Sequence, residues 1–258
     1  MMTTHFINDA KHTENFLSPA RLIILISGNG SNLQAIIDAC HQKWLRANIE
    51  MVISNEPHAY GLVRAKEAGL RTEVIPHSAF SSRAEFEKEL INVTQTISPC
   101  YIVLAGFMRI LTPLFINTFK NRLINIHPSL LPKYQGLHTH KRALNDHETE
   151  HGCSVHLVTE ELDSGLIIGQ AKTKIEAHDT LESLQNKVHL LEHKLYPLCL
   201  KFLIERTPIF SDKDCSPNLN DFLKEKALSL TNQPDHFTAK STIAFNENEL
   251  SWIYENII

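Results

Sequence analysis

At 258 residues, 43% of them hydrophobic and 21% charged, the chain has the size and make-up of one large α/β core, or of one domain with an appendage. A net charge of -4 leaves no basic footprint for nucleic acid and no polybasic patch for a membrane surface. The five cysteines are scattered and form no CxxC pair, which points to reduced thiols in a cytoplasmic protein, and no stretch has the length of a membrane span.

Residues 1–20 are polar, carry Asp9 and Glu14, and have no apolar run of the kind a secretory signal needs; a flexible leader is expected. Residues 21–26 (RLIILI) form a near-continuous aliphatic run, the pattern of a parallel strand covered on both faces. The run breaks at Ser27-Gly28-Asn29-Gly30-Ser31-Asn32, after which Leu33, Ile36, Ile37 and Cys40 recur at helical spacing. Strand, glycine loop and helix together aim backbone N–H groups and a helix N-terminus at an anion. No Lys-Ser/Thr follows the second glycine, so this is not a Walker A loop. Leu33 stands where the third glycine of the dinucleotide fingerprint would be, so one phosphate fits better than a pyrophosphate. A plain tight turn is the alternative on this segment alone.

Residues 51–54 read as a second strand, 60–68 as a helix closed by Gly69, and 72–75 as a third strand. Residues 82–97 predict an amphipathic helix with Phe86, Leu90, Val93 and Ile97 inward. Residues 101–105 (YIVLA) read as a buried strand opening into Gly106-Phe107-Met108-Arg109-Ile110-Leu111, and Pro113 starts a short helix. This alternation predicts a doubly wound, mostly parallel sheet.

Residues 123–126 (LINI) read as another buried strand. It runs into His127-Pro128 and Leu130-Leu131-Pro132, where proline bars helix and inner strand alike. Asn125 and His127 thus share one face at a strand's carboxyl end, where open parallel sheets bind ligands. An amide donor beside an imidazole suits acyl chemistry: one holds a carbonyl oxygen while the other moves a proton. A strand-capping Asn and a satisfied loop His are the bland alternative. Farther on, residues 140–147 read as a short helix, 153–159 and 166–175 carry β pattern, and 180–205 form the longest helix, with Leu184, Val188, Leu191 and Leu195 as its core stripe. Asp163, in an acidic turn before Gly165, is the carboxylate to pair with His127. Residues 206–258 contain Pro208, Pro217 and Pro234, no glycine and no motif; they are expected to be either a loose tail or a small helical or strand extension, with residues 250–258 packing on the body or on a partner chain.

The segments ISGNGSNLQAIIDAC, VLAGFMRIL, INIHPSLLPKYQGLHTH and HGCSVHLVTEELDSG, in that order, resemble the glycinamide ribonucleotide formyltransferase family of purine biosynthesis over residues 21–205. The resemblance implies a Rossmann-like formyltransferase fold and transfer of a formyl group from 10-formyltetrahydrofolate to the amine of phosphoribosylglycinamide. It implies Asn125, His127 and Asp163 as catalytic residues. It also implies substrate contacts at Gly30, Ser31, Asn32, Leu33 and Gln34 and at His189, Leu190, Leu191 and Glu192. Folate contacts would fall at Arg83, at Met108, Arg109, Ile110 and Leu111, at Asn125, and at Thr159, Glu160, Glu161, Leu162 and Asp163. His189 and Gln135 depart from the family pattern, which often has Gln and Pro there, and relatives commonly end soon after the long helix.

The partners expected are the two small molecules, in a monomer or homodimer, with no nucleic acid and no membrane. No metal is expected: His147/His151 and His189/His193 have i, i+4 spacing but lack the Glu of an HExxH site. On residues alone, Arg83 also reads as a solvated cation, Met108–Leu111 as core, and Glu192 as a helix-surface acid. Two related enzymes share parts of the pattern. A formyltetrahydrofolate hydrolase would release formate to water, and a methionyl-tRNA formyltransferase would bring a basic carboxyl-terminal domain. A non-catalytic folate- or nucleotide-binding module on the same fold is the third alternative.

Overall fold

The computed structural model describes residues 18–206 and 243–246. Strand β1 (Ala20–Ile26) is flanked by β2 (Ala47–Ser54) and β4 (Tyr101–Leu104), with β3 (Thr72–Val74) outside β2 and β5 (Leu123–His127) outside β4. All these pairings are parallel. The sheet continues through β6 (Glu150–Leu157) and β7 (Ile167–Lys174), both antiparallel to their predecessors. The order of these seven strands is 3-2-1-4-5-6-7, so the chain changes winding direction between β1 and β4. That is the doubly wound architecture the alternation predicts.

Burial along β1 shows why the run is apolar on both faces. Leu22, Ile24 and Ile26 belong to one core layer, with α1 (Ser31–His41) and α6 (Leu181–Arg206); Ile23 and Leu25 belong to the other, with α3 (Arg83–Ile97) and α4 (Pro113–Thr118). Side chains of period two therefore feed two hydrophobic layers, which is the condition for a buried parallel strand. The shorter helices are α2 (Tyr60–Glu67), followed by Gly69 at φ +71°, and α5 (Thr139–Asn145).

Two boundaries differ from the sequence reading for a physical reason. Strand β2 starts at Ala47, four residues before the expected strand, because Asn48 is exposed and Ile49 and Glu50 are only half-buried; no apolar run marks that end. Strand β6 likewise starts at Glu150, ahead of the expected 153, since its polar residues His151 and Ser154 are buried and hydrogen-bonded. Buried Glu87 was also not foreseen. It lies on α3 and accepts hydrogen bonds from the backbone N–H (2.9 Å) and hydroxyl of Thr112, tying α3 to the start of α4.

Helix α6 buries the expected Leu184, Val188, Leu191 and Leu195 stripe against the sheet. From the same helix the Tyr196 hydroxyl reaches the carbonyls of Leu104 (3.1 Å) and Ile124 (2.9 Å), bridging β4 and β5. Of the carboxyl-terminal extension, Ile243–Asn246 forms β8, which pairs parallel to β7 at the sheet edge. The leader expected over residues 1–20 falls mostly, and the packing expected of residues 250–258 wholly, outside the described residues. Among the described residues, no helix is long and apolar enough to cross a membrane.

Candidate active site

A cleft of about 600 Å³ opens at the winding switch, between the loops that leave β1 and β4. Its floor and walls include Gly28–Asn32, Gly106, Met108, Ile126 and Pro128, and α6 contributes His189, Glu192 and His193. Open α/β sheets place ligands at this point because flanking crossovers lie on opposite faces and leave a gap.

One end of the cleft is built for an anion. Gly30 is the N-cap of α1 in the left-handed region (φ +76°), and no side chain caps the helix. A Cβ on Gly30 would lie 2.6 Å from the Gly61 Cα, so glycine is required both for the backbone angle and for the close approach of α2. The first-turn N–H groups of an uncapped helix, with its dipole, favour negative charge. Arg64, which the sequence reading did not single out, pins this loop through Asn29 (Nε to the carbonyl, 2.9 Å; Nη2 to Oδ1, 3.1 Å) and brings a cation to it.

The expected substrate segments divide by side chain. Gly30, Ser31 and Asn32 line the cleft, whereas Leu33 packs in the core and Gln34 bonds Asp38 and Arg64. On α6, His189 and Glu192 line it, Leu191 is in the core and Leu190 is 61% exposed outside it. Glu192 is 5% exposed and accepts a 2.8 Å hydrogen bond from Asn32 Nδ2. Burial pushes its carboxyl up to about 7, an effect the Asn32 bond opposes. Asn32 Oδ1 and His193 Nε2 are buried without a hydrogen-bond partner among the described residues, which marks this wall as one that a polar ligand or water completes.

Asn125, His127 and Asp163 meet beside β5. His127 Nδ1 lies 3.4 Å from Asp163 Oδ2, and both side chains are almost fully buried. His127 Nε2 faces the Tyr134 carbonyl at 2.8 Å. Because a carbonyl only accepts, Nε2 carries hydrogen; with a carboxylate on the other side, the ring has an acceptor at each nitrogen and suits the doubly protonated form. Asp163 holds a left-handed backbone angle (φ +48°) and is tied by the Gly136 N–H to its Oδ2 at 2.9 Å. Gly165 lets this turn approach β6: a Cβ there would lie 1.7 Å from the Leu157 carbonyl oxygen.

His156, not singled out from sequence, completes the group. Its Nδ1 donates to the Leu157 carbonyl (2.9 Å), leaving Nε2 to accept from Asn125 Nδ2 at 3.1 Å. Burial lowers the His156 pKa, which keeps that ring neutral and able to accept. The Asn125 amide is thereby oriented, with one N–H spent on His156 and the other left for a ligand. The only signal for His156 was its place in a β pattern facing Asn125 across β5 and β6, a register that sequence spacing does not reveal.

The residues expected to touch a folate are placed less uniformly. Met108, which lines the cleft, and Ile110 are 73% and 60% exposed and Leu162 is 50% exposed, apolar surface of the kind an aromatic ring system covers, while Leu111 is buried in the core. The 159–163 turn is tied to α4 by Asn117 Nδ2 to Glu160 Oε1 at 2.9 Å. Arg83 is exposed in the first turn of α3 and is not among the cleft residues. The described residues contain no group of three or more His, Cys, Asp or Glu side chains placed to hold a metal ion.

The chain belongs to the formyl transferase family, which matches residues 20–200. The chain is 49% identical to the phosphoribosylglycinamide formyltransferase of Escherichia coli over 184 residues, covering 71% of this chain and 87% of that protein. It is 40% identical over 206 residues to the human trifunctional purine biosynthetic protein adenosine-3, covering 80% of this chain and 20% of that longer protein. Among solved structures, a phosphoribosylglycinamide formyltransferase from Coxiella burnetii in complex with CHES superposes with a TM-score of 0.73 at 45% identity, covering 88% of this chain and 99% of that one.

Proposed function

We propose that this protein is a phosphoribosylglycinamide formyltransferase, moving a formyl group from 10-formyltetrahydrofolate to the amine of N1-(5-phosphoribosyl)glycinamide in purine biosynthesis. The observation that carries the reading is the convergence of Asn125, His127 and Asp163 at a strand end beside a phosphate-type loop. Two of the three relatives above, from Escherichia coli and Coxiella burnetii, carry that activity in their names.

The uncapped start of α1 and Arg64 hold the phosphate, and Glu192 takes hydroxyl or amine donors of the substrate. The formyl donor supplies an activated one-carbon acyl group, and the exposed Met108, Ile110 and Leu162 give its ring system an apolar seat. The neutral amine attacks the formyl carbon directly, with no covalent enzyme intermediate. The free N–H of Asn125 donates to the formyl oxygen, and His127 in its protonated form stabilises the negative charge that develops there. Asp163, facing His127 Nδ1, orients a water that carries the proton lost by the amine, while the nitrogen released from the formyl group gains one. The scattered cysteines, four of them free among the described residues, support a cytoplasmic setting. The protein acts as a monomer or homodimer.

The test mixes purified protein with 10-formyltetrahydrofolate, with and without phosphoribosylglycinamide, and follows deformylation of the folate. Deformylation that requires the amine acceptor is expected. Equal formate release without it would overturn the reading in favour of a hydrolase.

A further inference from the structure

Two histidines on α6 line the cleft, and the chemistry above gives neither of them a role. His189 lies one helical turn before His193; the rings are parallel within 10°, with centroids 6.5 Å apart. His189 is exposed, whereas His193 is half-buried and its Nε2 is sealed from water without a hydrogen-bond partner among the described residues. The same turn of α6 carries Glu192, and the 2.8 Å bond from Asn32 to Glu192 fastens it to the first turn of α1. The pair therefore shares one cleft with the glycine loop that suits a phosphate.

Charge decides what the pair can do there. The loop end of the cleft is electropositive, because α1 begins uncapped at Gly30 and the Arg64 guanidinium is bonded to Asn29. A proton added to either ring meets that positive potential, and a second proton meets the first across 6.5 Å. In keeping with this, both pKa values lie below the ordinary histidine value: His189 through partial loss of water around the ring, and His193 through the same cause, then His189 and Arg64. The charged or titratable groups facing the pair are Arg64 from α2, His140 from α5 and Glu192 on α6 itself. Glu192 is the one acid lining the cleft among the described residues, and burial pushes its carboxyl up to about 7. From α1 come only Ser31 and Asn32, while β6 and β7 meet α6 through its apolar stripe and line no part of the cleft. A phosphate dianion on the first N–H groups of α1 reverses the balance, since it cancels the positive end and places negative charge near the rings. Protonation then favours His189, the ring that water reaches; the sealed Nε2 makes charging His193 harder.

We propose that His189 is a proton-coupled phosphate ligand: it takes up a proton as the phosphate monoester of the substrate binds at the start of α1, and pairs with it as a cation. This rests on the function proposed above, which supplies the phosphate. His193 stays neutral and holds the pair to a single charge. Substrate affinity thus draws on His189 at lower pH and loses that contribution as pH rises through the pKa of the bound state.

The test is an NMR pH titration of the full chain labelled at the imidazole nitrogens, with and without ribose 5-phosphate, the His189 signals being those lost in His189→Gln. The His189 pKa is expected to rise when the ester binds, with His193 unprotonated at pH 7. No rise at His189, no binding of the ester, or a proton on His193 instead overturns the proposal. In kinetics, His189→Gln is expected to raise KM for phosphoribosylglycinamide about two- to fivefold at pH 6.5, the range of one exposed ion pair, and to leave it unchanged at pH 8.5, with KM for the formyl donor unchanged at both. His189→Lys, charged throughout, is expected to keep the parent KM at pH 6.5 and to lower it at pH 8.5. An effect of His189→Gln equal at both pH values also overturns the proposal, because it would mark a neutral hydrogen bond. A protein that binds ribose 5-phosphate with the His189 rise, yet transfers no formyl group to phosphoribosylglycinamide, refutes the proposed function and leaves the phosphate site standing.

Discussion

The Nε2–H of His127 is committed to the backbone carbonyl of Tyr134, 2.8 Å away. The imidazole proposed as catalytic is thus held from behind by a main-chain oxygen of its own loop, and only Nδ1 is left to face Asp163 and a reacting group. Tyr134 is itself anchored: it sits at φ +59°, and its hydroxyl bonds Asp146 (2.9 Å) and Glu148 (3.0 Å). At 3.4 Å the Nδ1–Asp163 contact is longer than a charge-assisted hydrogen bond, so His127 can act on a developing oxyanion by charge without first breaking a tight pair.

Removing either group that faces the formyl oxygen isolates its share of the barrier. Asn125→Ala and His127→Ala are each expected to fold, by circular dichroism and thermal melting, and to lose about 10²–10³ in kcat, the usual cost of an oxyanion donor. Near-normal turnover in a folded variant would remove that residue from the mechanism.

Asp163 requires a substitution that respects its backbone. At φ +48° an alanine would add strain to the loss of charge, whereas asparagine tolerates the left-handed region. Asp163→Asn is therefore expected to keep a Tm within a few degrees of the parent while kcat falls about 10². A Tm collapse with specific activity unchanged would make Asp163 a structural residue only.

Stability should respond to pH through Glu192 in a direction unusual for a carboxylate. Its carboxyl ionises at about 7 when folded, against an ordinary value of 4.5. Between those values the unfolded chain has released the proton and the native protein retains it, so stability contributed here is lost as pH rises from about 4.5 to about 7. The full effect is of order 3 kcal/mol. Glu192→Gln removes the titration while keeping an oxygen to accept from Asn32, so its Tm gain over the parent should be larger at pH 8 than at pH 5. An equal gain at both would show that Glu192 ionises normally. The buried His140 and His151 act on the acid side: each stays neutral down to about 4, so stability falls as pH drops from about 6.5 towards 4.

Tyr196 offers a purely structural control. Its hydroxyl is buried between the carbonyls of Leu104 and Ile124, one helical turn beyond Glu192 on α6 but not part of the cleft lining. Tyr196→Phe should cost about 1 kcal/mol of stability in denaturant titration. KM for both substrates should be unchanged, and a shift in either would mean that the β4–β5 bridge sets the site geometry.

The sequence by itself determined the wound core and the strand end that carries Asn125 and His127. Residues 22–26 are apolar on both faces, Leu33, Ile36 and Ile37 repeat at helical spacing, and two prolines end the β5 segment just beyond Asn125 and His127. These are local signals, carried by neighbours in the chain, and so they survive without a fold. Tertiary structure alone decided the pairings between distant segments. It set His156 opposite Asn125, laid the Tyr134 carbonyl on His127, set His140 edge-on to His151, and brought Arg64 to the glycine loop. It also turned Leu33 and Leu191 into the core while their neighbours Asn32 and Glu192 meet across the cleft. A hydrogen bond depends on ångströms and angles between segments whose register is set by the whole sheet, and no spacing along one chain encodes that.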